Sequence, residues 1–149
     1  LYRVNQKGEF NVPIGSYKNP TICDTENLVA VNRKLQNTKI LCVDFKEAVK
    51  LAKTDDFVYF DPPYDPISET SNFTQYTNGG FGKKGQKRLA KTFKELDKKG
   101  VKLALSNSNT DFINNLYQKF SIHKLEARRS INSNGNDRGK IKEVLVTNF

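Results

Sequence analysis

The feature that most constrains the fold is an alternation of short apolar runs with amphipathic segments, which begins near residue 40. These apolar runs lack the polar-apolar alternation of a strand with one wet face, so they predict strands that are buried on both faces. Such strands, separated by helices, are typical of an α/β sheet that is mostly parallel and covered on both sides. Strands are predicted at residues 40–43, 57–60, 101–105, near 122 and at 141–146.

Helix signals fill the gaps between these strands. Asp44 with Glu47 resembles a capping box, a helix over residues 84–99 should stop at Gly100, and Thr110 can cap a further helix. The last two strands have no helix between them, which predicts that they pair antiparallel. The expected buried helix positions are Phe45, Ala48, Val49 and Ala52, then Leu89, Phe93 and Leu96, then Phe112, Ile113, Leu116 and Tyr117.

The first part of the chain has a different character. Residues 1–20 are rich in Asn, Gly, Pro and Lys and lack a sustained period, which predicts an irregular polar surface. Asp24 or Thr25 can cap a short helix that follows this surface. The apolar face of the short helix would hold Leu28, Val31 and Leu35.

The charge balance favours a polyanionic partner. Lys and Arg number 25 against 16 Asp and Glu, which gives a net charge of +9. An excess of this size raises the local concentration of nucleic acid and speeds its association. A solubilising basic surface explains the same excess equally well.

Cysteine use and hydropathy narrow the class of protein further. Cys23 and Cys42 are too far apart for a CxxC metal pair, which argues against zinc and against a disulfide scaffold. Cys42 is expected to pack as a small apolar residue within its run. No run approaches the roughly 18 apolar residues of a membrane span, so a cytoplasmic protein without a membrane partner is expected. Because the chain starts at Leu1 and contains no Met, we also expect a fragment.

The most informative loop is Asp61-Pro62-Pro63-Tyr64, which directly follows the predicted strand at 57–60. Ligands of open α/β sheets gather at the carboxyl ends of strands, and two consecutive prolines make this end rigid. The Asp61 carboxylate and the Pro62 carbonyl could accept both N–H groups of an exocyclic amine and turn its lone pair toward a methyl sulfonium. Tyr64 offers a face for a flipped-out base. The structural alternative is a rigid turn capped by Asp61.

Further stretches, in order along almost the whole chain, carry a resemblance. They are Arg3 and Asn5 with Gly8-Glu9-Phe10-Asn11-Val12-Pro13 and Tyr17-Lys18, then Asp44-Phe45, the 61–64 loop with Pro66-Ile67-Ser68, Asn72-Phe73-Thr74, Leu105-Ser106-Asn107, and residues 128–135. In these stretches the chain resembles the DNA adenine methylase (Dam) family, which methylates adenine in GATC. The resemblance implies the C-terminal half of a Rossmann-like S-adenosylmethionine-dependent methyltransferase fold, mostly parallel with an antiparallel last strand. It also implies two domains, with residues 1–35 as the C-terminal part of a target-recognition domain and residues 36–149 as the C-terminal portion of the catalytic domain. The implied donor is S-adenosylmethionine, without a metal.

The resemblance implies roles for individual residues. The catalytic set would be Asp61, Pro62, Pro63 and Tyr64, and the cofactor would lie against Asp44, Phe45 and Asp61. Residues 105–107 would line the target-base pocket, while Arg128 and Arg129 would hold phosphates or the loop, with plain surface basicity as the alternative.

The resemblance also implies a DNA-reading set. Arg3 would read a guanine edge and Pro13 would touch a thymine methyl. Solvated cations for Arg3 and Lys18, and packing for Tyr17, are the alternatives. The implied DNA-binding residues are Arg3, Asn11, Pro13, Tyr17 and Lys18.

The expected function is therefore methyl transfer to N6 of adenine in double-stranded DNA, in GATC. We expect a monomer on DNA, of prokaryotic or phage origin, alone or with a cognate restriction endonuclease. The family's phenylalanine- and glycine-containing cofactor loop and its lysine-glycine motif are missing here, so the chain alone should bind cofactor weakly and be inactive. The alternatives are a DNA-binding-only fragment and an RNA or protein N-methyltransferase, which often has Asn where Asp61 stands.

Overall fold

The computed structural model describes residues 4–5, 7–12, 18–67, 81–128 and 140–149, with backbone only at 127, 128, 140 and 141. Contacts divide the chain into two compact units, Leu1–Leu41 and Cys42–Phe149. Each unit is described separately below.

The first unit contains a tight turn and one helix. Val4 and Phe10 form an antiparallel bridge, and the Asn5 side chain accepts the N–H groups of Lys7 and Glu9 at 2.9 and 3.0 Å. Gly8 has a φ of 80°, a conformation that glycine adopts without strain, so it suits this turn.

Helix α1 (Thr25–Leu35) follows in the same unit. It begins as predicted, because the Asp24 carboxylate accepts the N–H of Asn27 at 3.2 Å. Its apolar side chains are exposed rather than buried, with Leu28 at 58% and Leu35 at 42% of full exposure.

The second unit alternates helices with strands, as the sequence predicts. The caps at Asp44 and Thr110 are confirmed, since each side chain accepts a backbone N–H of the helix that follows it. Gly100 ends its helix region with a φ of 77°. The elements are α2 (Phe45–Ala48), β1 (Phe57–Phe60), α3 (Lys83–Asp97), β2 (Lys102–Ser108), α4 (Asp111–Leu116), β3 (Ser121–Arg128) and β4 (Lys140–Thr147).

These strands form one mixed sheet in the order β1-β2-β4-β3. β1 and β2 are parallel and joined through α3, with Phe60 opposite Leu105. β4 is antiparallel to both of its neighbours, which confirms the expected pairing of the last two strands. The antiparallel last strand lies between two strands that run in a common direction.

The core of this unit lies where α3 and α4 pack on the sheet. Phe93 is fully buried, with its ring centroid 5.3 Å from that of Tyr117 and 4.9 Å from that of Phe120, both in edge-to-face geometry. The predicted stripe of α3 is confirmed as buried. Its residues join a cluster with Val101, Leu103, Leu105, Ile113, Tyr117, Val144 and Val146.

The strand predicted at residues 40–43 is not present. The segment pairs with no strand of the described sheet, and a backbone without ladder partners must keep its polar groups in water. Ile40 is accordingly 76% exposed and Val43 55%, and Cys42 is exposed instead of packed.

Two further expectations about burial were wrong. Ala48 is exposed, because α2 is a single turn that leans on the core through Phe45 and Val49. The sheet is also not covered on both faces at β1, where Phe57 is 59% and Tyr59 53% exposed. The reason is that α2, α3 and α4 all contribute to one core cluster.

Two kinds of feature are absent from the part of the chain that the structure describes. Within those residues no helix is long and apolar enough to cross a bilayer. The same residues contain no group of three or more His, Cys, Asp or Glu placed to hold a metal ion.

Candidate active site

The register of the parallel pair places Asp61 beside Ser106. Because Phe60 lies opposite Leu105, the residues that follow each of them meet at the same edge of the sheet. The Ser106 hydroxyl donates to one carboxylate oxygen of Asp61 at 2.7 Å. Ser106 is 8% exposed whereas Asp61 is exposed, so a buried hydroxyl orients a carboxylate that is accessible to solvent.

A buried carboxamide pair holds the loop that follows. Gln86 of α3 donates from Nε2 to the Pro63 carbonyl at 2.8 Å and accepts from Asn107 Nδ2 at 3.1 Å. Asn107 Oδ1 accepts the backbone N–H groups of Asp65 and Ser108, each at 2.9 Å. Gln86 and Asn107 are 1% and 0% exposed, and their pairing satisfies groups that would be costly to bury alone.

The far end of the loop is fixed to the start of α4. The buried carboxylate of Asp65 accepts from the Thr110 hydroxyl at 2.8 Å. The same hydroxyl oxygen accepts the N–H of Ile113 at 3.3 Å as the helix cap. The segment from Asp61 to Asp65 is therefore tied to β2, α3 and α4 together.

Tyr64 lies partly buried between these anchors. Burial raises the pKa of its phenol above the usual 10.0, and the negative charges of Glu143 and Asp61 act in the same direction. A hydrogen bond with Ser106 opposes the rise in pKa. The ring therefore stays uncharged at neutral pH, as suits a surface on which a base could stack.

Asp44 and Phe45 present a carboxylate beside an aromatic face. Arg88 of α3 contacts both residues. Its Nη2 lies 2.6 Å from Asp44 Oδ2, and its guanidinium carbon lies 4.4 Å from the Phe45 ring centroid. The Arg88 hydrogen bond, helped by the Lys46 N–H, holds the pKa of the Asp44 carboxyl below its usual value. Asp44 is thus both the predicted helix cap and an acceptor for a planar group stacked on Phe45.

Comparison with protein families is decisive for kinship. The model of the D12 class N6 adenine-specific DNA methyltransferases matches residues 1–131. The chain belongs to this family.

Individual relatives of this methyltransferase family agree. The type II methyltransferase M1.LlaDCHI of Lactococcus lactis subsp. cremoris is 52% identical over 151 residues, covering 100% of this chain and 53% of the relative. Type II methyltransferase M.MjaIII of Methanocaldococcus jannaschii is also 52% identical, with 52% of its length covered. The DNA adenine methylase of Escherichia coli K12 is 38% identical over 146 residues, covering 98% of this chain and 52% of the relative. The chain therefore spans about half the length of these curated relatives.

The implied DNA-reading residues of this family member are only partly described. Asn11 and Lys18 are exposed in the first unit. Arg3, Pro13, Tyr17 and Arg129 lie outside the described residues, as do residues 72–74 and the side chain of Arg128. Their roles remain predictions.

Sequence reasoning missed three residues that shape this candidate site. Gln86 had a readable signal, since it lies three residues before Leu89 on the buried stripe of α3, where a polar side chain needs a buried partner. Arg88 and Asp65 had none, because their partners are distant in sequence. β2 also extends to Ser108, beyond the predicted end at residue 105, which places Ser106 and Asn107 inside the strand.

Proposed function

We propose that the protein transfers a methyl group from S-adenosylmethionine to N6 of adenine in double-stranded DNA, within GATC. The observation that carries the proposal is the exposed Asp61 carboxylate, held by Ser106 at the carboxyl end of a parallel strand and followed by two prolines. Family membership supports the chemistry, and the Rossmann-like fold of such enzymes agrees with the mixed α/β sheet.

Asp61 and Pro62 would activate the target amine. One oxygen of Asp61 is engaged by Ser106, which leaves the other to accept an N–H of the adenine amine. The Pro62 carbonyl accepts the second N–H, so the nitrogen lone pair leaves conjugation with the ring and points at the methyl group. The N–C bond would form as the bond between the methyl carbon and the sulfonium sulfur breaks, so that S-adenosylhomocysteine leaves as a neutral thioether. The surplus proton of the nitrogen would pass to the Asp61 carboxylate and on to solvent.

Tyr64 would hold the flipped-out base. Its phenol is uncharged at neutral pH, as the usual pKa of 10.0 already ensures and burial reinforces, so the ring can stack on an adenine without a charge to desolvate. Stacking of a base on an aromatic side chain contributes about 1–3 kcal/mol.

Asp44 and Phe45 fit the adenosyl group of the donor. A guanidinium is planar and donates N–H bonds, and it makes two contacts here that an adenine ring also makes, stacking on Phe45 and donating to Asp44. S-Adenosylmethionine, when bound, supplies an electrophilic methyl group on a sulfonium. Arg88 would have to leave this place, and its half-exposed side chain is free to rotate outward.

The DNA would be read by residues 1–35, the first of the two domains that the sequence predicts. We assign the base and backbone contacts to Arg3, Asn11, Pro13, Tyr17 and Lys18. The net charge of +9 favours association with the duplex. We further propose a monomer on DNA, paired with a restriction endonuclease in a type II system, as the names of two relatives suggest.

A second candidate is a DNA-binding module without activity. It is favoured by the contacts of Arg88 with Asp44 and Phe45, which occupy the place that the adenosyl group would take. Incubation of the complete gene product with labelled S-adenosylmethionine and matched duplexes separates the two. Label confined to the GATC duplex supports the proposal. Duplex binding without label supports the module, and label in RNA or protein would contradict both.

A further inference from the structure

The two prolines of the 61–64 loop have one backbone rotation between them that the sequence leaves unrestricted. A proline fixes its own φ and confines the ψ of the residue before it. Asp61 and Pro62 both precede a proline, so their ψ angles are confined. Pro63 is followed by Tyr64, and its ψ is therefore the rotation that decides how Tyr64 leaves the loop.

Gln86 binds the group that this rotation moves. Its Nε2 donates to the Pro63 carbonyl at 2.8 Å from a position that is 1% exposed. Neither proline has an N–H, and on the other side of Tyr64 the Asp65 N–H donates to Asn107 at 2.9 Å. The two bonds hold the backbone on both sides of Tyr64.

The direction of the Gln86 carboxamide is dictated by its neighbours. Asn107 must present its oxygen to two backbone N–H groups, those of Asp65 and Ser108, so its NH2 faces Gln86. Gln86 must then present its oxygen to Asn107 and its NH2 to the Pro63 carbonyl, which can only accept. A side chain without an NH2 at this place would remove the donor that holds the Pro63 carbonyl.

We infer that Gln86 is a positioning residue for methyl transfer. Its carboxamide fixes the peptide plane between Pro63 and Tyr64, and with it the place of the Tyr64 ring relative to Asp61. Gln86 does not reach the exposed side of Asp61, so it acts through the loop. The inference rests on the proposed function, because it concerns the same 61–64 loop.

The test compares Gln86→Leu and Gln86→Glu with Thr92→Val in the complete gene product. Thr92 is a matched control, because it is 4% exposed on the same helix but donates only to the Arg88 carbonyl within α3. Gln86→Leu should lower kcat by about 10- to 100-fold, the scale of a small misplacement, with the KM for S-adenosylmethionine unchanged. Thr92→Val should leave kcat unchanged, even where it lowers the denaturation midpoint as much as Gln86→Leu does.

The Gln86→Glu variant supplies a pH profile. A carboxylate repels the Pro63 carbonyl, whereas a protonated carboxyl can donate to it and still accept from Asn107. The kcat of this variant, relative to wild type, should therefore recover as pH falls through the pKa of the introduced carboxyl. A ratio that stays low at every pH would overturn the inference.

A measurement independent of activity keeps the two proposals apart. In protein with 13C-labelled tyrosine, the Tyr64 ring signal, assigned with Tyr64→Phe, should shift in Gln86→Leu and not in Thr92→Val. If wild type transfers no methyl group, the proposed function fails while this shift still tests the hold of Gln86 on Tyr64. An unmoved Tyr64 signal, or full kcat in an active Gln86→Leu enzyme, would refute the positioning role.

Discussion

Replacing Ser106 by alanine removes the hydrogen bond to the Asp61 carboxylate and the contact of the same hydroxyl with Tyr64, while the backbone pairing of β2 stays. A hydrogen bond to a charged group contributes about 1.5–3 kcal/mol where water is excluded. Asp61 is exposed, so in the free protein water can replace the 2.7 Å bond, and the free energy of unfolding should fall by less than about 1 kcal/mol. In a closed complex with DNA the full value applies, and it corresponds to a loss of about 10- to 150-fold in kcat.

The assay is single-turnover methyl transfer to a GATC duplex, with urea denaturation of the same preparations. Ser108→Ala is the control, because it removes another buried hydroxyl from β2 while the bond to Asp61 stays. Equal kcat losses in the two variants, or none in Ser106→Ala, would refute an orienting role of this bond.

Three further predictions concern other parts of the chain. Tyr117→Phe should raise the free energy of unfolding by about 1 kcal/mol in urea titrations, because the buried hydroxyl has no partner among the described residues, and a loss of stability would show a hidden bond. Arg88→Ala should raise the pKa of Asp44, as measured by NMR titration of the carboxyl group. The lowered pKa in wild type stabilises the fold at pH values above the usual 3.8, and this contribution is lost as the pH falls below it. An unchanged loss of stability in acid in the variant would contradict this prediction. Arg3→Ala should reduce discrimination at one guanine by about 1–3 kcal/mol in competition binding, whereas an equal loss on every sequence would indicate a phosphate contact.

Local signals in the sequence were sufficient for most of the second unit. Asp44 and Thr110 were recognisable as caps because a cap and its helix are neighbours in sequence. The stripe of α3 and the antiparallel last pair followed from periodicity and from the short connection. The run at residues 40–43 had a strand-like composition, yet composition does not specify a pairing partner, and the described sheet provides none.

The reactive residues of the candidate site could be predicted from the sequence, but the residues that hold them in place could not. Asp61 was identified from its place after an apolar strand, which a linear reading can find. Its contact with Ser106 depends on the register of two strands 45 residues apart, and the bond of Gln86 to Pro63 depends on how α3 packs. Such partners are fixed by tertiary structure, so a sequence reading can indicate that Gln86 needs a partner without naming it.

The most direct test of the account is N6-methyladenine formation by the complete gene product and by its Asp61→Ala variant. Both should be incubated with S-adenosylmethionine and a GATC duplex, and the digested DNA measured by mass spectrometry. The account predicts N6-methyladenine with wild type and a loss of at least about 100-fold with Asp61→Ala at unchanged duplex affinity, as expected when a transition-state contact is removed. Undiminished N6-methyladenine in the variant would contradict the central claim that Asp61 activates the amine.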